Sequence, residues 1–287
     1  MPYADPNALV STEWLAAHLD APDVCVVDGS FKMPGVTPTA IEDYRRQHIP
    51  GAVFFDVNAI TDATSPLPHM LPSPEHFAAA MERLGIGDEQ RVVVYDSAGL
   101  MSAARIWWML RIFGHTNVAI LDGGLPKWLA EGRALDARIP TPRKRRFAAR
   151  FNGELVRDKT QVRANLATKA EQVLDARAAP RFAGAVAESW PGRRPGRIPG
   201  SYNLPYDLLV DARSKTVLPE ETLRRLFADA GIDLARPVVT SCGSGVTACA
   251  LAFGLHLLGH SAVAVYDGSW AEWGLPGDTP IETGPAR

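Results

Sequence analysis

The sequence predicts an α/β protein made of two tandem domains, each a mainly parallel sheet flanked by helices. Two observations predict this fold class. A set of segments occurs twice in the same order, and short apolar runs alternate with helical patterns along the chain. At 287 residues, of which 46% are hydrophobic, the chain is long enough for two domains that each bury a core.

The repeat consists of four landmark segments. Their order is "VCVVD", "HIPGAVFFDV", "RVVVYDSAG" and "GHTNVAILDGGLPKW" in the first half, and "QVLD", "RIPGSYNLPY", "RPVVTSCGSG" and "GHSAVAVYDGSWAEW" in the second. Matched residues lie 147 positions apart at Asp28 and Asp175, and 145 apart at Trp128 and Trp273. Four matches at nearly constant spacing indicate two copies of one domain.

Each copy contains predicted strands and helices in alternation. The segments "VCVVD", "RVVVYD" and "NVAILD" are short, apolar and bounded by polar residues or glycine, which is typical of buried strands. "SPEHFAAAMERLG" begins on a serine cap and ends at Gly85, and "MSAARIWWMLRIFG" ends at Gly114, so both predict helices. Alternating strands and helices indicate parallel sheets, which bind ligands beyond the carboxyl ends of their strands.

The segment between the copies is rich in proline and arginine. We therefore predict domains over residues 7–137 and 165–284, with a linker over 138–164. The run of basic residues at 143–146 is short, and we interpret it as a solvent-exposed tether rather than a nucleic-acid site.

Composition excludes several classes of partner. A formal net charge of −2 gives no electrostatic signal for nucleic acid or an anionic membrane. Cys25, Cys242 and Cys249 are too few and too widely spaced for a disulfide framework. No segment has the pattern of a signal peptide or the length of a membrane span. We expect a soluble, cytoplasmic protein with no nucleic-acid or membrane partner.

The segment "VVTSCGSGVTACALAFG" places Cys242 between a predicted strand and a predicted helix. Gly243 and Gly245 allow the backbone to turn its N–H groups inward, which forms an anion-binding loop. Thr247 starts the helix, whose positive dipole end faces the same space. Such surroundings favour a thiolate, so we predict that Cys242 is a nucleophile. Cys25 and Cys249 fall inside a strand and a helix, and we interpret them as core residues.

Two other roles for Cys242 are disfavoured by missing residues. A zinc site needs a second ligand two to four residues away, and none is present. A cysteine phosphatase needs an arginine six residues after the nucleophile, and that position is Ala248. In the first copy the matching position is Asp96 or Ser97, neither of which supplies a thiol. We therefore expect only the second copy to be catalytic.

The repeat, the segments "HIPGA" and "DGG…W", and the loop "CGSGVT" together resemble the two-domain rhodanese sulfurtransferases over essentially the whole chain. The loop is similar to that of the mercaptopyruvate enzymes of this family, whereas thiosulfate-specific members have the pattern Cys-Arg-Lys-Gly-Val-Thr. Neutral Gly243 and Ser244 add no cation for a dianionic donor. The resemblance implies that no metal or organic cofactor is needed.

The resemblance also implies a mechanism. The Cys242 thiolate takes sulfur from 3-mercaptopyruvate, pyruvate leaves, and the persulfide is held by the N–H groups of Gly243, Ser244, Gly245, Val246 and Thr247. The sulfur then passes to a thiophilic acceptor such as a thiol, a thioredoxin-like protein or cyanide. The alternatives are a thiosulfate sulfurtransferase on the same scaffold and, outside enzymes, a persulfide carrier or partner-binding module.

Matching the family's substrate arginines selects Arg181 as a carboxylate clamp, since a guanidinium fork suits a carboxylate. The second arginine of many mercaptopyruvate enzymes falls on Trp190. Arg193, Arg194 and Arg197 lie close by in the sequence, and of these we predict Arg194 as the replacement.

A Ser-His-acid relay proposed for the family would use Ser244, His69 and a carboxylate. The usual acidic position is Asn58 in this chain, so we predict Asp62 as the third member. Arg105 matches an arginine at the domain interface, and we interpret it as structural.

Overall fold

The computed structural model describes residues 3–285 and contains two five-stranded sheets. The strands are β1 Leu9–Val10, β2 Val24–Asp28, β3 Val53–Phe54, β4 Arg91–Tyr95, β5 Val118–Leu121, β6 Val156–Arg157, β7 Gln172–Asp175, β8 Tyr202–Asn203, β9 Val238–Ser241 and β10 Val263–Tyr266. The helices are α1 Thr12–His18, α2 Ala40–Arg46, α3 Pro74–Leu84, α4 Ala103–Ile112, α5 Gly124–Ala130, α6 Lys159–Thr168, α7 Ala179–Phe182, α8 Glu220–Asp229, α9 Ala248–Leu257 and α10 Ser269–Trp273.

The two sheets have the same topology. The first has the strand order β1-β5-β4-β2-β3 and the second the order β6-β10-β9-β7-β8, and every pair of neighbours is parallel. The central strands β4 and β9 are therefore equivalent. This arrangement confirms the predicted fold class of two tandem, mainly parallel sheets flanked by helices.

The local sequence signals correspond to the elements as built. β2 spans the whole of the predicted "VCVVD" run, and its last four residues are buried. Helix α3 begins after Ser73, whose hydroxyl accepts the N–H of His76, and ends at Gly85 in the left-handed conformation. A serine cap and a glycine at a positive φ of 74° are the expected chemistry of the two helix ends.

The domains pack against each other through α4 and α9, the helices that follow β4 and β9. Both helices are almost completely buried, because each packs on its own sheet and on the other helix. Trp107 of α4 meets Phe253 of α9 edge to face, with ring centroids 5.0 Å apart. One continuous apolar cluster therefore runs through both domains, and the loops that precede α4 and α9 lie at the same interface.

The segment predicted as a linker is divided between the two domains. Phe147 is buried in the first domain against Phe77, and the N–H of Arg150 bonds the carbonyl of Phe113. β6 pairs with β10, and α6 follows directly. The second domain therefore begins at β6, earlier than the predicted residue 165, and the basic run at 143–146 follows the surface of the first domain.

Candidate active site

Cys242 follows the last residue of β9 directly, at the carboxyl end of a central strand. Its N–H bonds the Ser269 hydroxyl at 3.1 Å, and its carbonyl accepts the N–H of Trp270 at 2.9 Å. Ser269 is fully buried and has a φ of 47°, a conformation that non-glycine residues adopt only when their surroundings impose it. Both neighbours come from the second "DGSW" segment, so the repeat motif fixes the backbone that carries the thiol.

The Cys242 loop, residues 242–247, has free backbone donors. Within the part of the chain that the structure describes, no acceptor takes the N–H groups of residues 243–248. Gly245 has a φ of 80°, and a Cβ atom there would lie 2.6 Å from the carbonyl oxygen of Asp267. Glycine is therefore required at this position. Helix α9 begins directly afterwards, so the loop and the helix start together present N–H groups suited to an anion.

Arg181 and Trp190 lie over Gly243. A Cβ on Gly243 would be 3.1 Å from Nη2 of Arg181 and 3.7 Å from Nε1 of Trp190. Trp190 also contacts His69 of the first domain edge to face, with centroids 5.6 Å apart. Arg181 therefore lies close to the loop, as predicted. At the second arginine position, Trp190 places an indole ring between Gly243 and His69.

Glu188 orients Arg181. Its carboxylate accepts Nε and Nη2 of Arg181 at 3.2 and 2.5 Å, and it also accepts Nη1 of Arg177 at 2.7 Å. The Glu188 side chain is 1% exposed, so this geometry is held by packing as well as by charge. Nη1 of Arg181 makes no hydrogen bond within residues 3–285, which leaves that edge of the guanidinium free toward Gly243.

His69 reaches across from the first domain to the Cys242 loop. Its Nδ1 lies 2.9 Å from Oγ of Ser244, and its Nε2 lies 3.0 Å from Oδ1 of Asn58. His69 has a φ of 60° and is 4% exposed. The structure brings Ser244 and His69 together as the sequence predicted, with a carboxamide behind the histidine.

Asp62 does not fill the third position, and this prediction needs correction. Its carboxylate accepts the N–H and the hydroxyl of Thr64, at 2.9 and 2.7 Å, and so closes its own turn. The backbone N–H of Asp62 bonds the carbonyl of Met70. A short aspartate side chain satisfied by its own loop is a common turn device, and the loop directs Asn58 to the histidine instead.

Arg105 and Asp267 join the two domains beneath the site. Nη1 of Arg105 bonds Asp267 at 2.7 Å and the carbonyl of Gly245 at 3.3 Å, and its Nη2 bonds the carbonyl of His69 at 2.5 Å. Asp267 in turn accepts the N–H of Leu71 at 2.8 Å. A single buried arginine therefore sets the position of His69 relative to the Cys242 loop.

Burial lowers the pKa of His69 to about 4, and the positive charge of Arg105 acts in the same direction. A hydrogen bond with the backbone of Ser244 opposes this lowering of the pKa. His69 is therefore neutral at pH 7 and accepts or donates hydrogen bonds without carrying a charge.

Arg194 lies outside the site, contrary to the prediction. Its Nη2 bonds Thr279 at Oγ1 and at the carbonyl oxygen, 2.5 and 3.0 Å away, and also contacts the carbonyl of Trp273. The residue ties the C-terminal segment to the second domain. Sequence spacing alone cannot distinguish these directions, because the segment that carries Arg193 and Arg194 has no regular secondary structure.

Cys25 and Cys249 are buried core residues. Burial raises the pKa of Cys25 to about 12 and that of Cys249 well above its ordinary value. The Cys249 thiol donates to the carbonyl of Gly245 at 3.2 Å. Neither thiol has the surroundings of a nucleophile.

The first domain contains an equivalent of the Cys242 loop, the Asp96 loop at residues 96–102. Asp96 follows β4 directly, and its carbonyl accepts the N–H of Leu125 just as that of Cys242 accepts the N–H of Trp270. This settles the alignment in favour of Asp96 over Ser97. The Asp96 carboxylate accepts five backbone N–H groups at 2.7–2.8 Å, from Ala98, Gly99, Met101, Ser102 and Ala103.

Sequence reasoning did not find Glu188, Asp267 or Ser269. Each acts on a site residue through a side-chain contact that the spacing of residues in the sequence does not report. The doubled "DG" pair that precedes α5 and α10 was the available signal for Asp267 and Ser269. Within residues 3–285, the structure contains no cluster of potential metal ligands and no helix long and apolar enough to cross a membrane.

Comparison with known proteins identifies the fold. The model of the rhodanese-like domain matches residues 11–131 and 158–275. The chain is 42% identical to thiosulfate/3-mercaptopyruvate sulfurtransferase 2 of Arabidopsis thaliana, covering 98% of this chain and 88% of the relative. It is 42% identical to 3-mercaptopyruvate sulfurtransferase of Homo sapiens, covering 93% and 92%. The crystal structure of SseA from Escherichia coli, titled as a 3-mercaptopyruvate sulfotransferase, has 40% identity and a TM-score of 0.84, covering 93% and 100%.

These matches define the class of protein as a tandem rhodanese-like fold with one thiol-bearing loop. The chain belongs to the rhodanese family. It is a sulfurtransferase, which confirms the predicted enzyme class over a non-enzymatic carrier or binding module.

Proposed function

We propose that this sulfurtransferase takes sulfur from 3-mercaptopyruvate. One observation carries the choice of donor. Within residues 3–285, Arg181 has an unbonded Nη1 beside Gly243, Arg105 is paired with Asp267, and Ser244 and His69 form an uncharged pair. That set suits a monoanionic keto acid. The carboxylate meets the guanidinium, and the hydroxyl is available to the polar groups next to the reacting carbon.

In the first half-reaction the Cys242 thiolate attacks the sulfur of 3-mercaptopyruvate. A sulfur–sulfur bond forms and the bond between sulfur and C3 breaks, with its electron pair leaving as the enolate of pyruvate. The proton of the donor thiol transfers to C3 by way of the Ser244 hydroxyl. The products are pyruvate and a Cys242 persulfide anion, so atoms and charge balance. The unpaired N–H groups of residues 243–248 support this step, because they stabilise negative charge on the outer sulfur.

In the second half-reaction a thiophilic acceptor attacks the outer sulfur of the persulfide and regenerates the Cys242 thiolate. A small thiol, a thioredoxin-like protein or cyanide has the required nucleophilicity. Cys242 itself is 1% exposed, so the acceptor must bring a narrow nucleophile to the loop. Three free cysteines are consistent with a compartment that keeps thiols reduced, and we propose the cytoplasm.

A second candidate donor is thiosulfate, favoured by the name of the Arabidopsis thaliana relative, which includes both donors. The measurement that separates them is kcat/KM for each donor with the same acceptor. We expect the value for 3-mercaptopyruvate to exceed that for thiosulfate at least tenfold. A clear preference for thiosulfate would reverse the assignment of the donor, while the persulfide chemistry at Cys242 would stand.

A further inference from the structure

We propose that Asn58 is a positioning residue that fixes the tautomer of His69, with its proton on Nε2, and thereby makes Ser244 a hydrogen-bond donor to His69. The proposal deepens the proposed function and rests on it for its chemical consequence. Its geometric part, the tautomer of His69, rests on the structure alone and has a measurement of its own.

The tautomer follows from the atoms in contact. Oδ1 of Asn58 lies 3.0 Å from Nε2 of His69, and an amide oxygen only accepts, so Nε2 must donate. A neutral imidazole has one N–H, which leaves Nδ1 as an acceptor. The Ser244 hydroxyl, 2.9 Å from Nδ1, is then the donor of that bond. The amide therefore determines the direction of both hydrogen bonds.

Among the residues that the structure describes, the other groups that contact His69 supply no negative charge. The rings of Phe31 and Trp190 meet the imidazole edge to face, with centroids 5.1 and 5.6 Å away. Arg105 bonds the His69 carbonyl and adds a positive charge. Asp267, which the second domain contributes, is paired with Arg105.

The carboxylates of the loop that carries Asn58 are also occupied. Asp56 accepts the N–H of Asn58 at 2.9 Å, and Asp62 accepts Thr64. An amide at position 58 therefore leaves the imidazole without an anionic partner among residues 3–285, and desolvation by burial keeps it uncharged.

The arrangement has a consequence for donor turnover. Because the Ser244 hydroxyl donates its hydrogen bond to Nδ1 of His69, its oxygen lone pairs face the loop and accept a hydrogen bond from the S–H of the incoming donor. A carboxylate at position 58 would stabilise an imidazolium and let His69 store the proton. With the amide, His69 orients the hydroxyl. In the transfer step the hydroxyl turns from Nδ1 and gives its own proton to C3 as it takes up the S–H proton, so that neither Ser244 nor His69 carries a charge.

The matched variant is Asn58→Asp, which changes one group and keeps the size of the side chain. Asn58 lines a cavity of about 210 Å³ and is exposed, so the substitution requires no repacking of the core. Asp62→Asn is the control, because Asp62 belongs to the same loop and does not contact the histidine.

The first measurement is nitrogen-15 NMR of the histidine side chains, with His69 assigned by loss of its signals in His69→Gln. In the unmodified protein we expect the Nε2–H tautomer and no titration of His69 between pH 5 and 8. In Asn58→Asp we expect the His69 titration to move up by at least one pH unit, whereas Asp62→Asn leaves it unchanged. An Nδ1–H tautomer in the unmodified protein, or an unchanged titration in Asn58→Asp, would overturn the proposal.

The second measurement is the pH profile of kcat/KM for 3-mercaptopyruvate. Asn58→Asp is expected to gain an acid limb at the pH where NMR detects protonation of His69, since an imidazolium cannot accept from Ser244. A profile identical to that of the unmodified protein would contradict the coupling. If neither form turns over 3-mercaptopyruvate, the proposed donor fails, and the NMR result still decides the role of Asn58.

Discussion

The Asp96 loop and the Cys242 loop occupy equivalent positions in the two domains but differ in what bonds their backbone N–H groups. Each follows the central strand of its sheet, and each leads into one of the two helices that form the domain interface. In the first loop a side chain of the loop itself occupies the backbone N–H groups, five of them bonded to the Asp96 carboxylate. In the second the N–H groups are free and the side chain at the equivalent position is a thiol.

The residues that reach each loop from the opposite domain differ in the same way. Lys215 lies over Gly99 of the Asp96 loop, and His69 bonds Ser244 of the Cys242 loop. Both have positive φ angles, of 59° and 60°, so the two approaches are related by the internal symmetry of the molecule. The comparison teaches that the anion-binding backbone is a property of the fold, while the chemistry depends on which side chains occupy and surround it.

The variant Cys242→Asp tests the comparison most severely, because it gives the second loop the side chain that Asp96 has in the first. We expect sulfur transfer to fall by more than about 10⁴-fold, since the proposed nucleophile is lost and the carboxylate accepts the N–H groups of the loop. We also expect the thermal midpoint to be at or above that of Cys242→Ala, because the charged acceptor satisfies buried donors. A midpoint clearly below that of Cys242→Ala would show that the two loops are not equivalent.

The variant Asp96→Ala removes the carboxylate that accepts the N–H groups of the first loop. Five buried N–H groups lose their acceptor, and we expect a loss of about 3 to 5 kcal/mol in the free energy of unfolding of the first domain. The measurement is urea denaturation followed by tryptophan fluorescence, with Ser97→Ala as the control, since Ser97 is exposed. A cost below about 1 kcal/mol would mean that the carboxylate contributes little to the loop.

Arg181→Ala sharpens the comparison at the level of the substrate. Removing the guanidinium should raise KM for 3-mercaptopyruvate by about 10- to 100-fold, the value of a hydrogen bond to a charged group. Arg194→Ala is the matched control: it weakens the attachment of the C-terminal segment and leaves this KM unchanged. Equal effects of the two substitutions would remove Arg181 from the carboxylate clamp.

The repeat made the fold readable from the sequence. Two sets of matched segments predicted two sheets. A short apolar run located β2, and a serine cap with a terminal glycine located α3. The linker was less predictable. Its proline and arginine content is typical of an exposed tether, but Phe147 anchors it in the first domain and β6 joins the second sheet. Those contacts depend on surfaces that exist only once the domains have folded.

The candidate site could be predicted from the sequence where one short motif contains its residues. Cys242 and Ser244 share the loop, and Arg181 and His69 were found by matching segments of a known family. The failures concern side-chain direction in irregular segments. Asp62 closes its own turn while Asn58 reaches the histidine, and Arg194 binds Thr279. In both cases the neighbouring residues were identified and their orientation was decided by backbone geometry that spacing does not report.

The central claim is that the Cys242 loop alone forms and holds a persulfide. Intact-protein and peptide mass spectrometry after incubation with 3-mercaptopyruvate, without an acceptor, tests it directly. We predict one added sulfur atom per chain, located on Cys242, removed by cyanide and absent in Cys242→Asp. Sulfur found on Cys25 or Cys249, or no added sulfur while pyruvate is released, would contradict the account.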